Sequence, residues 1–315
     1  MKKLIIFAII FGVILVVAGA GVAAAGYKYY KVDKMIENTI TLDDTYDKMN
    51  FKIETANLTI EKSTESTTKI VFTETKKITH EAKIIDNTLT VTVNDTRKWY
   101  EKIFNFNDFK IKAIAYIPAA EFESLTVDTA TGNVNVPSDF TFENVNLKSS
   151  TGNIEFKAIV NDKLEASAST GNITISDSKP QNIVASASTG NINISNVEVV
   201  EKIEAKTSTG NISIKDSKAT DLYVRLSTGN ITLTNYISSN SLELIASTGN
   251  IKFDRVDANT ISAKTSTGSI KGTLLTGKTF DAQSDTGKVT VPQGSTGGLC
   301  KLRTDTGRIL IELAE

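Results

Sequence analysis

"STGNISIKDSKATDLYVRLSTGNITLTNYISSNSLELIASTGNIKF", residues 208–253, contains Ser-Thr-Gly-Asn-Ile three times. Outward from this stretch, the Gly of Thr-Gly recurs at 132, 152, 171, 190, 210, 229, 249, 268, 287 and 307, at intervals of 19 or 20 residues. A fixed period of this length marks a solenoid, in which each unit buries its apolar face against its neighbours.

The columns on either side of the Gly identify the unit. Seven residues before it stand Leu125, Val145, Leu164, Ile183, Ile203, Leu222, Leu242, Ile261, Phe280 and Cys300. Five before it the residues are again apolar or small, from Val127 to Leu302, with Lys148, Ser167, Lys206 and Arg225 between the columns. Two residues past the Gly every residue is β-branched, from Val134 to Ile309. A two-residue rhythm rich in Ile, Val and Thr is a strand with one buried face, not a helix. Each coil then holds a long strand, a sharp Gly-Asn bend, a short strand and a connector. The connectors ("SDSKPQN", 176–182; "SNVEVVEK", 195–202) absorb the spare residue of the 20-residue coils. The fold predicted is all-β: a single-stranded parallel β-helix of about ten coils, right-handed by the chirality of β crossovers, stacked in sequence order.

Within the repeat, Gly supplies a bend that residues with a Cβ resist. The Thr before it is expected to turn its methyl inward. Asn133, Asn153, Asn172, Asn191, Asn211, Asn230 and Asn250 are expected to stack amide over amide as a hydrogen-bonded ladder. The alternative is a line of amides that reads a glycan or an ice lattice. The column ends as Ser269, Lys288 and Arg308, so the ladder should stop near the eighth coil.

Residues 41–118 carry strands without Thr-Gly and are expected to be irregular coils that cap the rod, followed by the regular repeats over 119–315. "FKIETANLTI" (51–60) reads like "LTVDTATGNVNV" (125–136) shortened at the bend. Residues 27–40 form a linker. Ahead of it, Leu4 to Ala25 holds 22 residues without a charge, enough for a helix to cross a bilayer. The segment 1–26 is therefore expected to be a transmembrane anchor or, given "VAAAG", a cleaved signal peptide. Either places the remainder outside the cytoplasm, held at the cell membrane by residues 4–25 or secreted.

Composition excludes several classes. The formal net charge is -1 with both signs scattered, so no basic field for nucleic acid exists. Cys300 and His80 are each the only residue of their kind, which excludes an internal disulfide, Cys-based zinc sites and His-paired nucleophiles. The glycine-rich nonapeptide that binds calcium in β-rolls is absent. No catalytic, cofactor or metal residue is predicted. The carboxylates that a polysaccharide-active enzyme could use are Glu165, Glu204 and Glu243, six before the Gly on alternate coils. Two coils would separate neighbours by roughly 9.6 Å, near the upper limit for an inverting pair. A solvated strand face accounts for them as well.

Two other segments have interaction potential. "RKWYEKIFNFNDF" (97–109) concentrates Trp99, Tyr100, Phe104, Phe106 and Phe109 and is either a loop over the end of the core or a docking patch. The strand "RILIELAE" (308–315) is expected to be the exposed last rung, open to pairing with a partner or another copy.

The apolar start, "FKIETANLTI", "IKAIAYIP" (111–118) and the serial "STGNI" units together resemble a bacterial family of membrane-anchored β-strand repeat proteins labelled "putative adhesins", some linked to envelope-stress operons. The resemblance covers about residues 45–313 and carries no site residue. It implies an extracytoplasmic, membrane-tethered adhesion or scaffold module. The expected partners are an envelope protein or a cell-wall polymer, with self-association through the C-terminal coil as a further expectation. The alternatives are a self-assembling β-helix scaffold and a polysaccharide-active enzyme.

Overall fold

The computed structural model describes residues 34–98, 111–118 and 120–314. The apolar run 4–25 and the aromatic stretch 99–109 lie outside them. Among the described residues there is no helix, and hence none long and apolar enough to cross a membrane. The backbone divides into Met1–Ile36 and Glu37–Glu315, and the second unit is a β-solenoid of about ten turns.

Each turn forms for the reason the repeat implies. In Lys202–Thr209, Ile203, Ala205 and Thr207 point inward and are buried, while Lys206 and Ser208 face solvent. Past the bend, Ile212 and Ile214 return to the core. The next turns place like on like: Ile192, Ile212, Ile231 and Ile251 stand in parallel register on successive rungs, each essentially inaccessible. Aligned Ile side chains fill the space between rungs, and each fully buried side chain contributes about 1.5–3 kcal/mol relative to exposure.

The connectors do more than link strands. Asp177, Asn196, Asp216, Asn235 and Arg255 adopt left-handed φ angles between 48° and 60°, a conformation Asn and Asp tolerate best. They make a second corner, and beyond it the chain extends again. Ser217 pairs with Tyr236 and Tyr236 with Val256, while Ala219, Ser238 and Ala258 follow in the same register. The solenoid thus has a third face. In its later turns the strands run unbroken from one bend to the next, as in Ile231–Thr248. The extra residue of a 20-residue turn sits between Ser238 and Ser241, where the register slips.

At both ends the rungs depart from sequence order. The Gly268 rung (Ile251–Thr267, then Ile270–Leu274) pairs with Leu299–Thr306 and Ile309–Leu313, not with the segment that follows it. The intervening segment, Thr279–Ser284 and Val289–Thr290, stacks on the far side of that last rung. The expected sequential stack is therefore corrected: the Gly307 rung is inserted between the Gly268 and Gly287 rungs. The expectation that "RILIELAE" forms the exposed end is corrected with it, because Ile309 and Leu310 have a strand on each side. The outermost rung is 279–290.

The other end is built similarly. Lys48–Thr55 and Asn57–Ser63 stack on the Gly132 rung, and Thr88–Asp95 with Lys112–Pro118 stack outside them. Antiparallel strands Ile78–Ile85 and Thr68–Glu74 then close this end. An antiparallel partner stops the parallel stack from growing and covers its edge.

Candidate functional surface

The face that carries the repeat motif combines a structural column with two free ones. The structural column is the Asn ladder. Asn57 Oδ1 accepts from the Asn133 backbone N–H, and the same bond of 2.8–2.9 Å joins 133 to 153, 153 to 172, and onward to Asn250 with Ser269. Each side-chain oxygen thus satisfies the bend amide one rung on. Amide-to-amide bonds, the form expected of the ladder, run from Asn230 to Asn211 and from Asn250 to Asn230. The ladder ends where Ser269 replaces Asn, because Ser269 can donate its backbone N–H to Asn250 but offers no amide oxygen to continue the column. Asn211→Ala is expected to cost about 0.5–1 kcal/mol, the net worth of one solvent-accessible hydrogen bond. Urea unfolding of the variant beside wild type measures it, and an unchanged midpoint would give the Asn column a role other than structural.

The free columns are the Ser and Thr before each Gly. Ser150, Ser169, Ser188, Ser208, Ser227 and Ser247 are exposed, and so are Thr151, Thr170, Thr189, Thr209, Thr228 and Thr248. The expected inward turn of the Thr methyl is thereby corrected. The inward position is two residues earlier, where Thr207, Thr265 and Thr304 direct their hydroxyls to the Gly carbonyls of the neighbouring rungs. Beside the free columns, small side chains open a shallow groove of about 330 Å³ across Ser167, Ser169, Ser186 and Ser188, with Asp128 and Lys148 at one end.

The candidate acids occupy a single outward column, Glu165, Val184, Glu204, Tyr223 and Glu243 in successive register. Glu165 is ion-paired to Lys163 at 2.6 Å. Glu204 lies between Lys206 and Lys202, and hydrogen bonding from Lys206 holds its carboxyl below the usual range. An inverting glycosidase needs one carboxyl raised so that it can donate a proton. The environment of Glu204 acts in the opposite direction. The two lysines also stand over the ring of Tyr223, at 5.5 and 5.3 Å.

The other reactive side chains are structural. Cys300 is buried between Ile261 and Phe280 of the adjoining rungs, and burial pushes its thiol up to about 12. His80 is buried in the antiparallel end, stacked on Phe72 at 4.5 Å with Nδ1 3.2 Å from Glu74. Burial pulls its ionisation down, partly offset by Glu74. Among the described residues no three His, Cys, Asp or Glu side chains converge to hold a metal ion.

Two features escaped the sequence reading. Among the described residues Tyr236 is the largest fully buried side chain, and its hydroxyl has no hydrogen-bond partner there. Lys278, 5% exposed, lies 2.7 Å from Asp257 and 2.8 Å from the Thr276 hydroxyl. A lysine in a connector gives no sign of burial in the sequence.

The family model described as Toastrack DUF4097 matches residues 46–234. No curated protein matches. Several solved structures are similar. A Bacteroides fragilis protein described as a "putative adhesin" is 16% identical, with 89% of this chain and 98% of that one covered and a TM-score of 0.45. A Parabacteroides distasonis "putative lipid binding protein" is 18% identical, with coverage of 88% and 96% and a TM-score of 0.44. A Clostridium sporogenes "putative cell adhesion protein" is 11% identical, with coverage of 89% and 100% and a TM-score of 0.32.

Proposed function

Because the chain belongs to the Toastrack DUF4097 family, we propose that it is a non-catalytic interaction rod of the bacterial envelope. In this reading residues 4–25 hold it to the membrane, the solenoid stands outside the cytoplasm, and its motif-bearing face adheres to an envelope protein or a cell-wall polymer. The observation that carries the reading is the Ser-Thr pair repeated at every rung from Gly152 to Gly268, outward and exposed save for a half-buried Ser266. Hydroxyls spaced at the ~4.8 Å of stacked strands offer donors and acceptors in a regular file. An extended polymer rich in hydroxyls and amides can use such a file along its length. The Asn column keeps that file straight. A second reading, a scaffold that assembles end to end, is favoured by the outermost rung, whose strand Thr279–Ser284 has no partner on its outer edge among the described residues.

The test places a photo-crosslinking residue at Ser208 of the full chain in intact cells. Crosslinks to one envelope component are expected, lost when Ser169, Ser188 and Thr209 are together replaced by Glu. Crosslinks that survive the triple replacement, or none at all, count against the motif face as the binding surface.

A further inference from the structure

The open edge has a shape and a charge pattern that fit a second copy of itself. Thr279 and Asp285 direct their backbone N–H groups to Gly298 and Thr304 of the inserted rung. In a parallel pair the N–H and C=O of one residue point to the same side, and the sides alternate. Residues 280, 282 and 284 therefore present their backbone groups to solvent. Their side chains cap the core: Phe280 and Ala282 are only partly buried, whereas Cys300 and Leu302 directly beneath are fully buried. A row of unpaired backbone groups above a half-covered apolar floor is a template for strand addition.

We propose that this edge pairs with the same edge of a second copy, antiparallel, with Ala282 on the two-fold axis. The register follows from the residues. Centring on 282 sets 280 opposite 284 and 282 opposite 282, so that all the outward-facing backbone groups bond. On the inner face Phe280 then meets Ser284, and small Ala282 side chains meet at the axis. On the outer face Asp281 meets Gln283 and Asp285 meets Thr279, so no like charges oppose. Sliding the strands to centre on 281 sets Asp281 against Asp281, and centring on 283 sets it against Asp285. Arg303 of the inserted rung, bonded to both Asp281 carboxylate oxygens, reduces the repulsion without making either pairing favourable. Directly opposed like charges destabilise a strand pair. The charge pattern thus selects one register of three. The contact is isologous and closes as a dimer, two rods joined at the ends remote from Ile78–Ile85. It rests on the end-to-end scaffold reading alone and is independent of what the motif face binds.

Gln283 supplies the test, since it is exposed and the pairing sets it against Asp281 of the other copy. Sedimentation of the full chain in detergent is expected to show a dimer. Gln283→Asp should weaken it about tenfold by opposing two aspartates at each of two symmetric positions, and Gln283→Lys should tighten it by forming two ion pairs. A wild-type chain that stays monomeric at tens of micromolar would sink both the pairing and the scaffold reading. A dimer that shifts in the same direction with Asp and Lys, or with neither, overturns this edge and register while leaving assembly by another surface standing.

Discussion

Gly210→Ala is expected to destabilise the solenoid by on the order of 3 kcal/mol or more. Its φ is 142°, a region side chains with a Cβ rarely enter, and strain of that kind costs about 1–3 kcal/mol. Space adds to the cost. A Cβ on Gly210 would lie 2.1 Å from the Gly190 carbonyl oxygen, and the Gly229 position meets the Gly210 carbonyl at 2.0 Å. Both obstacles are backbone and neither can rotate aside. To admit the methyl, the rung must move away from its neighbour, which lengthens the bonds from Gly190 N–H to Thr209 and from Ile192 N–H to Asn211, both now 2.9 Å. Thr209→Ala, one residue away on an exposed side chain, should stay within about 0.5 kcal/mol. Chemical denaturation of the two variants makes the comparison. A Gly210→Ala protein within 1 kcal/mol of wild type would mean that the bend can relax, and the column would lose its claim to set the rung spacing.

How much of this was legible in the sequence differs by feature. Inward columns such as Ile192, Ile212, Ile231 and Ile251 could be read because like residues recur at one offset, and parallel register puts identical offsets in contact. Even the shortened repeat could be placed: Ala56 carries the carbonyl opposite Gly132, and Asn57 starts the ladder. The third face was hidden because its inward residues include Ser178, Ser217, Ala219 and Ser238, which break the apolar alternation that marks a strand. Rung order was hidden for a deeper reason. Periodicity says which residues share a column but not their order within it, and the rungs at Gly287 and Gly307 carry interchangeable inward sets, Phe280 and Ala282 against Cys300 and Leu302. The out-of-frame Thr-Gly pairs at 276–277 and 296–297 do not resolve it: they place the two connectors side by side, where a Cβ on Gly297 would sit 2.2 Å from the Gly277 carbonyl oxygen, and the two rungs are neighbours in either order. Of the candidate surface, the Ser and Thr columns could be counted but not oriented, since a Thr beside a bend fits either side of a strand.

In the exchanged order Lys278 reaches across the level of the inserted rung. It begins the outermost rung, yet its ammonium bonds Asp257, in the connector that leads into the Gly268 rung. Gly298, at the entry of the inserted rung, lies between these levels: a Cβ there would sit 1.7 Å from the Asn259 carbonyl oxygen, and its own carbonyl accepts from Thr279. Lys278 therefore ties the outer rung to the one below the inserted layer, and Ser295 holds its backbone on both sides. Lys278→Met should cost about 2 kcal/mol. A fully buried ion pair loses about 3–5 kcal/mol when one partner is removed; the discount applies because Asp257 keeps 22% side-chain exposure and its bonds from Ala258 and Thr276. The damage should be local. Amides of 279–284 and 299–306 are expected to exchange hydrogen faster while those of 212–248 keep their protection, since rungs far from the tie lose no contact. Lys278→Met with Asp257→Leu should recover most of the loss, because an apolar pair leaves no charge without a partner. A double variant as unstable as the single one would assign the cost to lost packing of the lysine stem, and unaltered exchange at 299–306 would show that the inserted rung stays in place without the tie. With the tie intact, Ile309 and Leu310 are flanked on both sides, by Ile270–Leu274 and by Val289–Thr290, so freeing these two residues requires displacing the outer rung as well.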